Sequence, residues 1–200
     1  MARALDRLVA DIRACRLCLE HPLGKPLPHE PRPVLQVSAG AKICIIGQAP
    51  GTKVHVSGQP FTDRSGDRLR DWLGVTSEQF YDPQRIAIVP MGFCFPGQDA
   101  KGGDLPPRRE CAPHWHAKLF VLLPKMELTL LVGQYAQRRY LAARSKASLT
   151  ETVSAWRDYG QAAIPLPHPS WRNTGWLKKN PWFESDLLPH LQSRVAELLR

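Results

Sequence analysis

Apolar positions along the chain follow two rhythms. Four short runs are almost continuously apolar: Ile43-Cys44-Ile45-Ile46, Ile86-Ala87-Ile88-Val89, Leu128-Thr129-Leu130-Leu131-Val132 and Ala163-Ile164-Pro165-Leu166. Runs of this length, rich in β-branched residues and bounded by Gly, Pro or polar residues, are what strands buried on both faces look like. They predict strands at 42–46, 86–89, 128–133 and 163–166, and Pro165 confines the last to an edge or a strand end. Between them the period changes to that of a helix. Leu5, Leu8, Val9 and Ile12 line one face of residues 2–14. Ser65 is placed to cap a helix carrying Leu69, Trp72 and Leu73 and ending at Gly74. Further helices are predicted at 76–81, 108–123, 134–142, 148–157 and 183–199. Strands alternating with helices predict an α/β fold: a three-layer αβα sandwich around a four-stranded, mainly parallel sheet.

The punctuation between these elements locates the candidate site. Gly47-Gln48-Ala49-Pro50-Gly51 breaks the first strand into a turn, and a second punctuated segment, Ser57-Gly58-Gln59-Pro60-Phe61-Thr62-Asp63, precedes the helix near Ser65. His168-Pro169-Ser170 follows the fourth strand. In a parallel sheet both segments leave the same edge, the usual place for a ligand in an open α/β fold. The glycine turn lacks the Lys-Ser/Thr ending of a phosphate-binding loop and the spacing of a dinucleotide fingerprint, so it reads either as a phosphate cradle or as a tight turn. A stretch at 171–182 mixes tryptophans with Arg172, Lys178 and Lys179. Such a mixture suits stacking on bases and meeting phosphates, or anchors a solvated loop to the core.

Composition narrows the class. Two hundred residues suit one domain over 1–200, with the N-terminal helix, a Cys-x-x-Cys pair and a connector holding five prolines packed on it as residues 1–40. Twenty-seven basic against 18 acidic side chains give a charge of +9, which fits a polyanionic partner. No apolar run approaches the ~20 residues that span a bilayer, and the N-terminus lacks a signal-peptide pattern, so a cytoplasmic protein without a membrane partner is expected. Five cysteines in such a chain do not suggest disulfides. Cys44 lies inside the first strand and reads as core. Cys15, Cys18, Cys94 and Cys111 fall in two clusters able to ligate zinc or an iron–sulfur cluster, or simply to be buried.

Taken together, these motifs resemble the uracil-DNA glycosylase superfamily, and within it the iron–sulfur family 4 enzymes. That family has a strand followed by G-E-A-P-G, then G-x-P-F, and H-P-S after its last strand. Here Gly47-Gln48-Ala49-Pro50-Gly51, Gly58-Gln59-Pro60-Phe61 and His168-Pro169-Ser170 match in order. The family's four cluster cysteines correspond to Cys15, Cys18, Cys94 and Cys111. A bacterial glycosylase-like subgroup with GQAPG and HPS motifs is similar still more closely.

The resemblance implies a DNA repair glycosylase that flips a deaminated or damaged base, uracil or a related lesion, out of DNA and hydrolyses its N-glycosidic bond. It implies a 4Fe-4S cluster, with zinc as the alternative, and a monomer acting on damaged DNA at the nucleoid. It assigns stacking on the base to Phe61, base binding also to Gly47, a hydrogen bond to the leaving base to His168, and the water-holding position to Gln48, where the family has glutamate. Because an amide is not a base, Asp63 or Asp67 is the candidate carboxylate. The family's base-reading asparagine corresponds to Pro90, so Met91, Gly92 or Asn173 is expected to replace it. Ser65, Ser170, Arg172, Lys178 and Lys179 are expected to contact DNA. The alternative is a nucleic-acid-binding module that keeps the fold without catalysis.

Overall fold

The computed structural model describes residues 2–200. Its first helices are α1 (Ala2–Arg13) and the single turn α2 (Leu17–Glu20), followed by the proline-rich connector. Strand β1 (Ile43–Ile46) leads into α3 (Thr52–Ser57), α4 (Arg64–Leu73) and α5 (Ser77–Tyr81). Strand β2 (Ile86–Ile88) precedes a long loop and α6 (Cys111–Phe120). Strand β3 (Leu128–Val132) is followed by α7 (Gln134–Leu141) and α8 (Leu149–Ser154), and strand β4 (Ala163–Leu166) by α9 (Thr174–Lys179) and α10 (Leu188–Leu198). The sheet order is β2-β1-β3-β4 and every pairing is parallel. Pro165 therefore sits on an edge strand, opposite Leu131, where its missing N–H interrupts no second ladder.

Alternation along the strands divides the core into two layers. Ile43, Ile45, Leu130, Val132, Ile164 and Leu166 face one side, against Leu69, Trp72 and Leu73 of α4 and Leu191 and Val195 of α10. Cys44, Ile46, Ala87, Val89 and Leu131 face the other, against Leu5 and Ile12 of α1, Trp115 and Leu119 of α6 and Ala136 of α7. Residues burying both faces explain why the strands read as continuous apolar runs. The αβα sandwich expected from the sequence is the observed one. No helix among the described residues is long and apolar enough to cross a membrane.

Several elements differ from expectation. Helix α4 is capped by Asp63, whose Oδ1 accepts from the N–H groups of Ser65 (3.0 Å) and Gly66 (3.1 Å). Ser65 lies inside the first turn, because the carboxylate two residues earlier already holds the free amides. Residues 52–57, expected as loop, form α3. Only Val54 of its six residues is buried, so it has no apolar period to read, and it is closed by Gly58 at φ 73°. Residues 174–179, also expected as loop, form α9. Helix α6 is shorter than 108–123: Pro113 occupies its first turn and Pro124 disfavours helix in the residue before it. The final helix is divided, with a π-helical turn at Phe183–Leu187 before α10. Pro189 sits in the first turn of α10 and has no N–H to give the preceding turn.

Candidate active site

The carboxyl ends of β1, β2 and β4 open into a cleft of about 370 Å³. Its walls carry Gly47, Gln48, Ala49, Pro50 and Gly51 from the first turn, Lys53 and Val54 of α3, and Phe61, Asp63, Arg64 and Ser65 before and within α4. Pro90, His168, Ser170, Trp171 and Arg172 come from the ends of β2 and β4. The size suits one nucleotide unit rather than a large cofactor.

Phe61 is a wall residue held by its own backbone. Its φ is +55°, a left-handed conformation that costs a bulky L-residue roughly 1–2 kcal/mol. The Phe61 carbonyl accepts from Tyr81 Oη at 2.9 Å, which offsets that strain. A methyl group on residue 66 would lie 1.8 Å from the same carbonyl, so Gly66 lets α4 start directly against it. A methyl on residue 47 would lie 3.3 Å from Phe61 Cζ, so the ring rests on the bare backbone of the glycine turn. Phe61 and Gly47 thus form one flat apolar surface.

His168 supplies a donor. The Ser170 N–H donates to His168 Nδ1 at 3.2 Å, which leaves the ring proton on Nε2. Burial pushes the His168 pKa below the ordinary histidine value, and the nearby Asp63 and Asp104 carboxylates pull the other way without cancelling it. The ring is therefore neutral at pH 7. Asn173 donates Nδ2–H to the His168 carbonyl at 2.7 Å, and Arg68 donates to the Ser170 carbonyl at 3.0 Å. Both brace the His-Pro-Ser segment.

Other expected residues are placed differently. Gln48 lies on the cleft wall, but its amide leans toward the end of β3: a methyl on Gly133 would be 2.8 Å from its Nε2. Asp63 is on the wall with Oδ1 committed to capping α4. Asp67 is outside the cleft, exposed and paired with Arg70 at 2.5 Å. Met91, Gly92 and Asn173 do not line the cleft. The Met91 and Gly92 N–H groups donate to the Gly47 (2.9 Å) and Gln48 (3.0 Å) carbonyls, tying the two turns together. Pro90 is on the wall, and its carbonyl accepts from buried His116 Nε2 at 3.1 Å. Tyr140 Oη donates to His116 Nδ1. Burial pushes His116 down to about 4, so this pair stays neutral.

Ser65, Ser170 and Arg172 stand at the cleft, whereas Lys178 and Lys179 are exposed on α9 outside it. Of the tryptophans in 171–182, Trp176 and Trp182 pack on the core beside Phe183. Only Trp171 projects, 69% exposed, with the Arg172 guanidinium 5.8 Å from its ring centre. Sequence reasoning passed over Lys53 and Arg64, which adjoin the two motif turns and add cations to the cleft.

On the opposite side of the loop after β2, Cys15, Cys18, Cys94 and Cys111 line one small cavity closed by Ile12, Pro31, Pro33, Phe93 and Trp115. All four thiols are free. Burial pushes Cys18 up to about 11 and Cys94 up to about 12, and raises Cys111 as well. Among the described residues no three Cys, His, Asp or Glu side chains are drawn together as for a single ion. Four cysteines on one cavity are a donor set that either an iron–sulfur cluster or zinc takes. Trp115 on its wall carries a buried Nε1–H with no partner, a donor suited to a sulfur acceptor. The chemistry of the donor set, four thiols and one buried N–H, is compatible with an iron–sulfur cluster.

The fold and cleft define an α/β protein with a nucleotide-sized site at the carboxyl edge of its sheet. The sequence model of the uracil DNA glycosylase superfamily matches residues 35–192, and the chain belongs to that superfamily. Among solved structures it is similar to the solution NMR structure of a proposed uracil DNA glycosylase from Methanosarcina acetivorans. The identity is 17%, over 79% of this chain and 93% of that one, with a TM-score of 0.46. Membership rests on the sequence match, which spans most of the chain and carries with it a glycosylase-like function on DNA.

Proposed function

We propose that this protein is a DNA repair glycosylase, related to the iron–sulfur family 4 enzymes, that hydrolyses the N-glycosidic bond of a flipped-out deaminated or damaged base. The observation that carries the reading is the pairing, in one cleft, of the Phe61–Gly47 surface with a neutral His168 whose Nε2–H is its only ring donor. A flipped base stacks on Phe61. As the C1′–N bond breaks, the electron pair stays on the base, and the His168 N–H stabilises the developing anion. A preorganised donor of this kind lowers a barrier by about 3–4 kcal/mol. Arg172, Ser65 and Ser170 at the rim meet phosphates, with Lys53 and Arg64, and exposed Trp171 fills the gap the base leaves. The protein works as a cytoplasmic monomer on damaged DNA at the nucleoid.

Cys15, Cys18, Cys94 and Cys111 would hold a 4Fe-4S cluster, which supplies structural cross-linking between the N-terminal helices, the loop after β2 and α6. Zinc is the alternative occupant. Metal analysis and the visible spectrum of anaerobically purified protein distinguish them: a brown protein with about four irons is expected, and a colourless protein with one zinc contradicts it.

The base itself is not specified by Pro90, which has no side-chain donor or acceptor and whose carbonyl His116 already holds. This favours a lesion other than uracil, or the second reading of a binding module without catalysis. Oligonucleotides carrying uracil, hypoxanthine, xanthine or an oxidised base, incubated with the protein and then treated with alkali, separate them. Strand cleavage at one lesion is expected; binding without cleavage across the panel supports the module.

A further inference from the structure

N-glycoside hydrolysis needs a proton acceptor beside the attacking water, and the residue at the motif's carboxylate position is Gln48. Resting on the glycosylase reading above, we propose that Asp104, from the loop after β2, is the catalytic carboxylate of this site.

Among the described residues two carboxylates line the cleft, Asp63 and Asp104. Asp63 Oδ1 holds two backbone amides of α4, so that carboxylate is fixed to the start of the helix and only its Oδ2 is uncommitted. Asp104 has no such duty. It sits on a hairpin of residues 97–105, closed by Leu105 N–H to Gly97 O at 2.9 Å and Asp99 N–H to Gly103 O at 2.8 Å. A bridge pairs Gln98 with Asp104. Gln98 Nε2 donates to Asp104 Oδ1 at 3.2 Å, orienting the carboxylate and leaving Oδ2 free.

That second oxygen points back at the motif. A methyl group on residue 51 would lie 3.1 Å from Asp104 Oδ2, so the carboxylate reaches over the glycine turn at Gly51. Asp104 also lies within electrostatic reach of the His168 ring. Gln98, Gly102 and Asp104 of the hairpin line the same cleft as Trp171 and Arg172 of the 171–173 turn. Asp104, His168 and Phe61 all line this one cleft.

In the reaction, the C1′–N bond breaks and its electron pair leaves with the base, held by His168. The water oxygen forms the new bond to C1′ and gives one proton to Asp104 Oδ2. The exposed Asp104 returns that proton to solvent, and the base anion takes one up. The products are the free base and an abasic site, so atoms and charge balance.

The test uses the full chain and whichever lesion oligonucleotide the wild type cleaves. Single-turnover excision and binding to the same duplex with a non-cleavable abasic analogue are measured side by side. Asp104→Asn keeps the Gln98 contact and is expected to excise about 100-fold more slowly, with binding within twofold and an unchanged melting temperature. Asp104→Glu is expected to recover at least a tenth of the wild-type rate. A loss of less than tenfold in Asp104→Asn overturns the proposal, as does a loss matched by weaker binding or a larger loss in Asp63→Asn. Should the wild type excise no base at all, the glycosylase reading fails and takes this one with it. Should the wild type excise and Asp104→Asn match it, only the assignment of Asp104 fails.

Discussion

The segment leaving β2 builds two places with opposite character. Near its start Pro90 joins a wide, half-polar cleft; at Cys94 and again at Cys111 it lines a narrow cavity of sulfur and apolar side chains. The cleft is assembled from residues with polar atoms left free: Nε2 of His168, Oδ2 of Asp104, the guanidinium of Arg172. The cavity is assembled from thiols whose ionisation burial opposes. Between them the His116–Pro90 hydrogen bond and the Met91 and Gly92 amides fix the loop to the glycine turn. One region keeps polar atoms open to the cleft and the other buries its thiols, and a single stretch of chain lines both by being pinned in the middle.

Breaking the two regions separately should give different signatures. The largest effect is expected from His168→Ala, which removes the donor to the leaving base. Excision should fall about 100-fold under single-turnover conditions, with the melting temperature nearly unchanged. Equal rates in the variant and the wild type would remove His168 from the chemistry. Cys94→Ser should do the reverse: loss of visible absorption and about 2 kcal/mol of stability, read by denaturant titration, while the excision rate of the folded fraction at 25 °C stays within about threefold. A chemical rate that collapses with the cluster would erase the contrast.

Gly66→Ala tests the wall of the cleft. Its methyl would meet the Phe61 carbonyl at 1.8 Å, so Phe61 or the start of α4 must shift. About 2 kcal/mol of stability should be lost, with base stacking weakened in parallel. The smallest effect concerns the pin between the regions. His116 is held down at about 4 by burial, against an unfolded value of about 6.5. Above the unfolded value both states are neutral. Between there and about 4 only the unfolded chain takes the proton, so stability is lost as the pH falls. At pH 5.5 the loss should be about 1.2 kcal/mol relative to pH 7. His116→Gln should lack this component, as the difference between the two denaturation curves measured across pH.

Much of this comparison is legible in the chain, and the rest is not for identifiable reasons. The four strands read directly because each is buried on both faces and so is continuously apolar. Phe61, Gly47 and His168 could be placed at one edge because parallel strands deliver their ends together. Asp104 could not: the intervening hairpin has no apolar period, and its aim over Gly51 depends on the Gln98–Asp104 pairing. Nor could the hydrogen bonds of the Met91 and Gly92 N–H groups and of Asn173 Nδ2, which brace the turns.

What the sequence alone determined is therefore the α/β class, the edge at which a site must lie, the separation of Cys44 from the other four cysteines, and the ordered motifs of the superfamily. These follow from local pattern and chain order. Only the tertiary structure decided that Cys15, Cys18, Cys94 and Cys111 line one cavity, that Asp63 caps a helix while Asp67 pairs with Arg70, and that Trp171 alone of the loop tryptophans projects. Each of those outcomes depends on which groups distant in sequence arrive within hydrogen-bonding or packing distance, and periodicity carries no information about that.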